Sequence, residues 1–242
     1  MKARYAPLLA LAFGLTSVSS APAGEPVVVE LFTSQGCSAC PAADKLMGKI
    51  ANDADVIALS WSVSIWDYIG WEDTLAIPLS NERHSWYNRL GGSNIVYTPQ
   101  IFIDGQEAFV GSHKRKINKA IDAHRGDASV MVGVAFDDSA QGWVTLDFSD
   151  AIPRSAHVRI VYFDDAKTVP IGAGENRGRT LTYTNIVRGS ETLSVDEAST
   201  RYRVDMSSAY AKNCDAFAIL VQDKSSGKML GAAVRRLKDK AA

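Results

Sequence analysis

Three cysteines in 242 residues, at positions 37, 40 and 214, are too few to staple a fold together. Short secreted scaffolds rely on a disulfide framework, whereas a chain of this length can bury a core without one. Charge excess is missing too. There are 26 basic and 27 acidic residues and no basic run, so electrostatics give no reason to expect nucleic acid. His84, His113, His124 and His157 form no close pair and the chain has no second Cys-x-x-Cys, so the ligand set of a structural zinc site is not there. Internal repeats and low-complexity tracts are also absent. The Gly-rich "IGAGENRG" at 171–178 has the wrong spacing for a dinucleotide fingerprint and joins strands. It reads as a loop that can fold over the first half, with Arg177 and Arg179 solvated or facing an anion.

What the chain does have begins with its first residues. Lys2 and Arg4 precede the apolar run Ala6–Val18, and Ala21-Pro22-Ala23 supplies a small-x-small cleavage pattern. The run falls short of the roughly 20 residues that a membrane span needs. Residues 1–23 are therefore expected to be a secretory signal peptide cut after Ala23, with periplasmic or secreted localisation and no stable membrane insertion after cleavage.

Two halves follow with different patterning. In the first, "VVVELF" (Val27–Phe32) and "DVIALSW" (Asp55–Trp61) are short, β-branched apolar runs of the kind buried on both faces. Helical spacing predicts helices over Ser38–Ala51, Leu79–Gly92 and His113–His124. Gln100–Gly111 reads as a hairpin turning at Asp104-Gly105, which gives the order β-α-β-α-β-β-α. After a short link at His124–Ser129 the pattern is almost all strands, about seven of them, with turns rich in Gly, Ser, Asp and Asn. That spacing suggests a β-sandwich. In "HVRIVY", Val158, Ile160 and Tyr162 share one face and His157 and Arg159 the other, as in a half-buried strand.

"ELFTSQGCSACP" (Glu30–Pro41) sets Cys37 and Cys40 between a buried strand and a helix start. The unpaired N–H groups and positive dipole end of a helix favour a thiolate on the first cysteine. One turn on, Cys40 can attack a mixed disulfide formed at Cys37, and Pro41 falls in the first turn, where a missing N–H costs little. Glu30 sits in an otherwise apolar strand, where an unpaired carboxylate would be costly. Either it acts as a buried proton relay or it points outward at a strand edge. Pro99 must stand at a strand's first residue or edge. Trp61, Trp66, Trp71 and Tyr68 crowd one segment, as core or as a platform beside the thiols. Cys214, at the entrance to an apolar strand, reads as a small buried hydrophobe or as a partner for Cys37.

Three linked features resemble the thioredoxin superfamily: the Cys-x-x-Cys at a helix start, the element order, and "VYTPQIFIDG" (Val96–Gly105). The segments "VVVELFTSQGCSACPAAD", "IWDYIGWEDTLA", "VYTPQIFIDG" and "GENRGRTLTYTNIVR" further resemble a secreted bacterial thioredoxin-like family, domain of unknown function 1223. The resemblance implies an α/β thioredoxin-like domain over 24–126, followed by an all-β, sandwich-like C-terminal domain over 127–242. It implies a cis Pro99 facing the cysteines, and Thr98 lending its backbone to an extended substrate segment. It also implies catalysis by Cys37 and Cys40, with Glu30 moving a proton. The expected activity is thiol–disulfide exchange with a protein thiol, a small thiol or a redox partner. No cofactor or metal is called for, since exchange passes through the sulfur atoms themselves. The alternative from another class is a secreted binding or assembly module whose Cys37–Cys40 pair is structural or vestigial.

Overall fold

The computed structural model describes residues 25–237 apart from 138, 141 and 197. The proposed signal peptide lies outside the described residues. The first half follows the expected order: β1 (Val27–Thr33), α1 (Cys40–Ile50), β2 (Val56–Ser62), a 3₁₀ turn at Asp67–Ile69, α2 (Pro78–Leu90), β3 (Gln100–Ile103), β4 (Glu107–Val110) and α3 (Lys114–His124). The second half supplies β5 (Val132–Phe136), β6 (Trp143–Phe148), β7 (Ala156–Pro170), β8 (Thr180–Leu193), β9 (Arg201–Asp205), a short α4 (Ser207–Ala211), β10 (Ala216–Asp223) and β11 (Met229–Arg236).

The expected division into a helix-flanked thioredoxin-like domain and a separate all-β sandwich is not what forms. One mixed sheet of eight strands, in the order β11-β10-β7-β8-β2-β1-β3-β4, runs through both halves, and β5-β6-β9 make a second sheet of three. The joint is β8, which lies parallel to β2 with Ser60 opposite Ile186. Ser60 Oγ donates to the Thr184 carbonyl at 2.7 Å and Asn185 Nδ2 to the Ala58 carbonyl at 2.8 Å. Left alone, β2 would expose a row of unpaired backbone groups, and β8 covers that edge. Turns reinforce the joint, because Gly105 packs on Gly227. A Cβ at position 105 would lie 1.9 Å from the Gly227 carbonyl oxygen, so only glycine fits.

Burial follows from the two-residue strand period. On β10, Phe217, Ile219 and Val221 face a core shared with the three-stranded sheet, while Ala216, Ala218 and Leu220 face a second core with Val28, Phe32, Leu59 and Trp61. Both faces are covered, which explains the unbroken apolar run. The same is true of β7. Its polar face, read as solvent-exposed, turns inward: the His157 ring lies 6.1 Å from that of Trp86 on α2. Cys214 lies in the core between the sheets. β1 likewise presents Val27, Val29 and Leu31 to α1 and α3, and Val28 and Phe32 to the α2 side.

Candidate functional site

The chain leaves β1 at Thr33 and enters α1 at Cys40 through a loop in which Gln35 is fully buried and Ser38 and Ala39 are exposed. Backbone bonds tighten this loop, with Cys37 N–H on the Ser34 carbonyl and Cys40 N–H on the Cys37 carbonyl, both at 3.2 Å. Cys37 and Cys40 form a disulfide, with their Cα atoms 5.4 Å apart. Exposure separates the two sulfurs' prospects: Cys37 keeps 4 % of its surface and Cys40 none. Pro41 stands in the first turn, and no side chain caps the helix start.

Thr98-Pro99 is a cis peptide, and the Thr98 carbonyl oxygen lies 3.6 Å from Cys37 Sγ. Thr98 is fixed from its side chain, where Trp66 Nε1 donates to Oγ1 at 2.7 Å. Thus Cys37, Cys40, Thr98 and Pro99 come together. The aromatic segment is divided between the two roles the sequence suggested. Trp61 is core, Trp66 and Trp71 brace the disulfide loop, and Tyr68 is 78 % exposed. Trp71 Nε1 donates to Gln35 Oε1 at 2.8 Å, and Gly36 lies against Trp66 so closely that a Cβ would stand 3.0 Å from that of Trp66.

Glu30 is brought elsewhere. Its strand parity, shared with Val28 and Phe32, turns it to the α2 side, opposite the helix that carries Cys40. There Arg83 Nε and Nη2 hold its two oxygens at 2.7 Å each, and the Tyr87 hydroxyl donates to Oε2 as well. A carboxylate gripped by a guanidinium in this fork geometry is an ion-pair partner.

Beneath α1 stands a buried acid that the sequence reading missed. Asp44 follows Cys40 by four residues on the same buried face of the helix. Its Oδ1 accepts from Thr33 Oγ1 at 2.8 Å, and its Oδ2 has no hydrogen-bond partner among the described residues. Burial pushes its pKa up to about 8. Asp73 is also raised, chiefly by burial, although it accepts from Gln35 N–H and Ser62 Oγ at 2.7 Å and from Leu75 N–H at 2.9 Å. The Tyr183 hydroxyl is buried without a partner among the described residues, and burial raises its pKa too. The signal was legible: Cys40, Asp44 and Met47 fall at i, i+4 and i+7, so one acid occupies a core-facing position.

A third contribution comes from the second half. The loop between β7 and β8 lies over the disulfide loop, and the fully buried Asn176 donates through Nδ2 to the carbonyls of Gln35 at 2.8 Å and Cys37 at 2.9 Å. Arg179 Nη1 holds Asn176 Oδ1 at 3.0 Å, and the Glu175 carboxylate accepts from Ser38 N–H at 3.1 Å. The glycines of this loop permit the approach: a Cβ at Gly172 would lie 2.9 Å from the Trp71 ring. No group of three or more His, Cys, Asp or Glu among the described residues gathers to hold a metal ion.

With this arrangement in view, residues 28–222 match the family model described as "Protein of unknown function (DUF1223)". The chain belongs to that family. The match covers both the disulfide loop and the loop folded over it, so the family unit includes both halves. Among solved structures, the chain is similar to protein AGR_C_4864 from Agrobacterium tumefaciens, known from an X-ray crystal structure. They share 31 % identity and a TM-score of 0.76, over 92 % of this chain and 98 % of that one. HBP35 of Porphyromonas gingivalis shares the fold at a TM-score of 0.60 and 14 % identity, over 90 % of this chain and 78 % of that one. No curated protein matches this DUF1223 member.

Proposed function

We propose that this protein is an exported thiol–disulfide oxidoreductase that exchanges disulfides with protein or small-thiol partners through Cys37 and Cys40. One juxtaposition carries the reading: a disulfide at the start of α1, with Cys37 Sγ 3.6 Å from the carbonyl of Thr98, the residue before Pro99. A partner thiolate attacks Cys37 Sγ, the bond to Cys40 breaks, and its electron pair leaves on Cys40, which takes up a proton. A second partner thiolate then attacks the partner sulfur of the mixed disulfide and frees Cys37. The partner dithiol is oxidised and the protein gains two electrons and two protons; the reverse sequence reduces a substrate disulfide and re-forms the Cys37–Cys40 bond. Attack falls on Cys37 because Cys40 has no exposed surface.

In this scheme Thr98 and Pro99 border the incoming chain, and the Thr98 backbone docks an extended segment of it. Asp44 takes the proton-handling role that the sequence suggested for Glu30. Its carboxyl keeps its proton near neutral pH and lies one helical turn from Cys40, so it can protonate that thiolate as it leaves and reclaim the proton on return. Export, to the periplasm or beyond, rests on the leader-like first residues and suits a persistent disulfide.

The test uses a disulfide-linked reporter peptide with dithiothreitol as electron donor. Wild type is expected to turn over, Cys37→Ser to be inactive, and Cys40→Ser to accumulate a mixed disulfide at Cys37. One observation favours a second reading, a binding module with a structural disulfide: the bonds from Asn176 close over the loop carbonyls. A disulfide that resists dithiothreitol until the protein unfolds would select that reading and sink the enzyme.

A further inference from the structure

The loop between β7 and β8 brings an acid onto the disulfide loop. A Cys37 thiolate at the start of α1 would be stabilised by the unpaired N–H groups of that helix end and the loop before it. One of them, Ser38 N–H, is already taken by the Glu175 carboxylate at 3.1 Å. The placement is built rather than incidental. Asn176, the next residue, is fully buried and bonded to the carbonyls of Gln35 and Cys37, and Arg179 holds the Asn176 side chain. Gly174, at φ +69°, lets the backbone lie against Trp71, which itself bonds Gln35. The second half of the chain thus delivers a negative charge to the residue next to Cys37.

We propose that Glu175 is a positioning residue that restrains Cys37: it competes with the Cys37 thiolate for Ser38 N–H in the loop just before α1 and repels its charge, so that the β7–β8 loop sets the nucleophile's acidity. This rests on the exchange reading above. The other ionisable groups around the loop are Asp73, bonded to Gln35 N–H, Asp67, bonded to Asp73 N–H, Asp44 beneath the helix, and Arg179 on the loop itself. Of these groups and Glu175, only the Glu175 carboxylate is hydrogen-bonded to the backbone of a residue between the two cysteines. The carboxylate is exposed, so salt screens its effect, whereas a purely structural contact would be insensitive to salt.

The experiment is a pH titration of Cys37 in the reduced full-length protein, read by the rate of iodoacetamide alkylation, for wild type, Glu175→Gln and Glu175→Asp. Gln keeps an acceptor for Ser38 N–H and removes the charge. The thiolate-to-thiol ratio at a fixed pH is expected to rise about two- to fivefold in Glu175→Gln, the scale of one surface charge at a helix end, and to return toward wild type in Glu175→Asp. Raising salt from about 0.01 M to 1 M, where the Debye length shrinks from about 30 Å to 3 Å, should move wild type toward Glu175→Gln and leave that variant nearly unchanged. An unchanged or higher Cys37 pKa in Glu175→Gln, in a protein whose wild type exchanges disulfides, overturns this proposal alone. A wild type that exchanges nothing overturns the function beneath it.

Discussion

The two faces of β1 each bury an acid next to a helix, and they treat it in opposite ways. On the α2 face, Glu30 meets Arg83 in a two-pronged ion pair, with Tyr87 and Gln222 filling in around it. On the α1 face, Asp44 meets one hydroxyl and keeps an oxygen with no partner among the described residues. The first acid has its charge compensated and serves to hold α2 against the sheet. The second is left uncompensated, keeps its proton into neutral pH, and sits on the helix that carries the disulfide. Burial makes an acid available for proton transfer only where no cation claims it.

The sharpest way to break this contrast is to remove the paired acid. Glu30→Ala leaves Arg83 buried without its partner, and a urea unfolding series should show a loss of about 3–5 kcal/mol. Glu30→Gln should lose less, since it keeps an acceptor. If Glu30→Ala is as stable as wild type, the ion pair is not what fixes that face.

Second comes the pH response of the unpaired acid. The folded-state pKa of Asp44 is raised from 3.8 to about 8, so the folded protein holds a proton that the unfolded chain releases above about pH 4. Its stabilisation is full below that point and is lost as pH rises through about 8. Asp44→Asn should remove this alkaline slope, worth roughly 2–5 kcal/mol across the window. The α2 face should slope the other way. His84 stacks on Phe32 with ring centroids 4.4 Å apart, and burial lowers its pKa to about 4. The unfolded chain protonates this histidine first, so stability is full above about pH 6.5 and is lost as pH falls through 4. His84→Gln should flatten that acid limb, by about 1–3 kcal/mol. Thermal midpoints from pH 4 to 9 separate the two slopes, and a single slope common to both variants would remove the contrast.

The smallest effect concerns the loop from the second half. Asn176→Ala removes three side-chain hydrogen bonds, those to the carbonyls of Gln35 and Cys37 and the one from Arg179, a loss of about 1–3 kcal/mol. Hydrogen exchange should quicken locally at residues 35–38. Unchanged protection there would mean that the β7–β8 loop does not hold the disulfide loop.

Much of the first half was readable because its signals are local. The short apolar runs gave β1 and β2, the helical spacing gave α1 to α3, and Asp104-Gly105 marked the hairpin turn. The dithiol and the Thr98-Pro99 pair were visible as motifs, and they do meet in space. The fold class was misread because β8 joins β2 through backbone and near-backbone contacts between residues more than a hundred positions apart. Such pairing leaves no pattern in either strand. Glu30 was offered as a proton relay by resemblance to thioredoxins, or else as a residue at a strand edge, whereas the fold buries it against Arg83, 53 residues away. Asp44 lay in plain view on the apolar face of a helix, where its position counted for more than its distance from the cysteines. Asn176 and Glu175 could be seen as loop residues but not as neighbours of Cys37.

Local chemistry settles which residues can react here. A strand, a tight loop and a helix start place two sulfurs within one turn, and that much is written in twelve consecutive residues. Which acid serves those sulfurs, and which charge restrains them, depends on strand parity and on a loop arriving from 137 positions away. Those are consequences of packing, because burial and long-range pairing set the charge state of a carboxylate, and neither exists until the chain has folded.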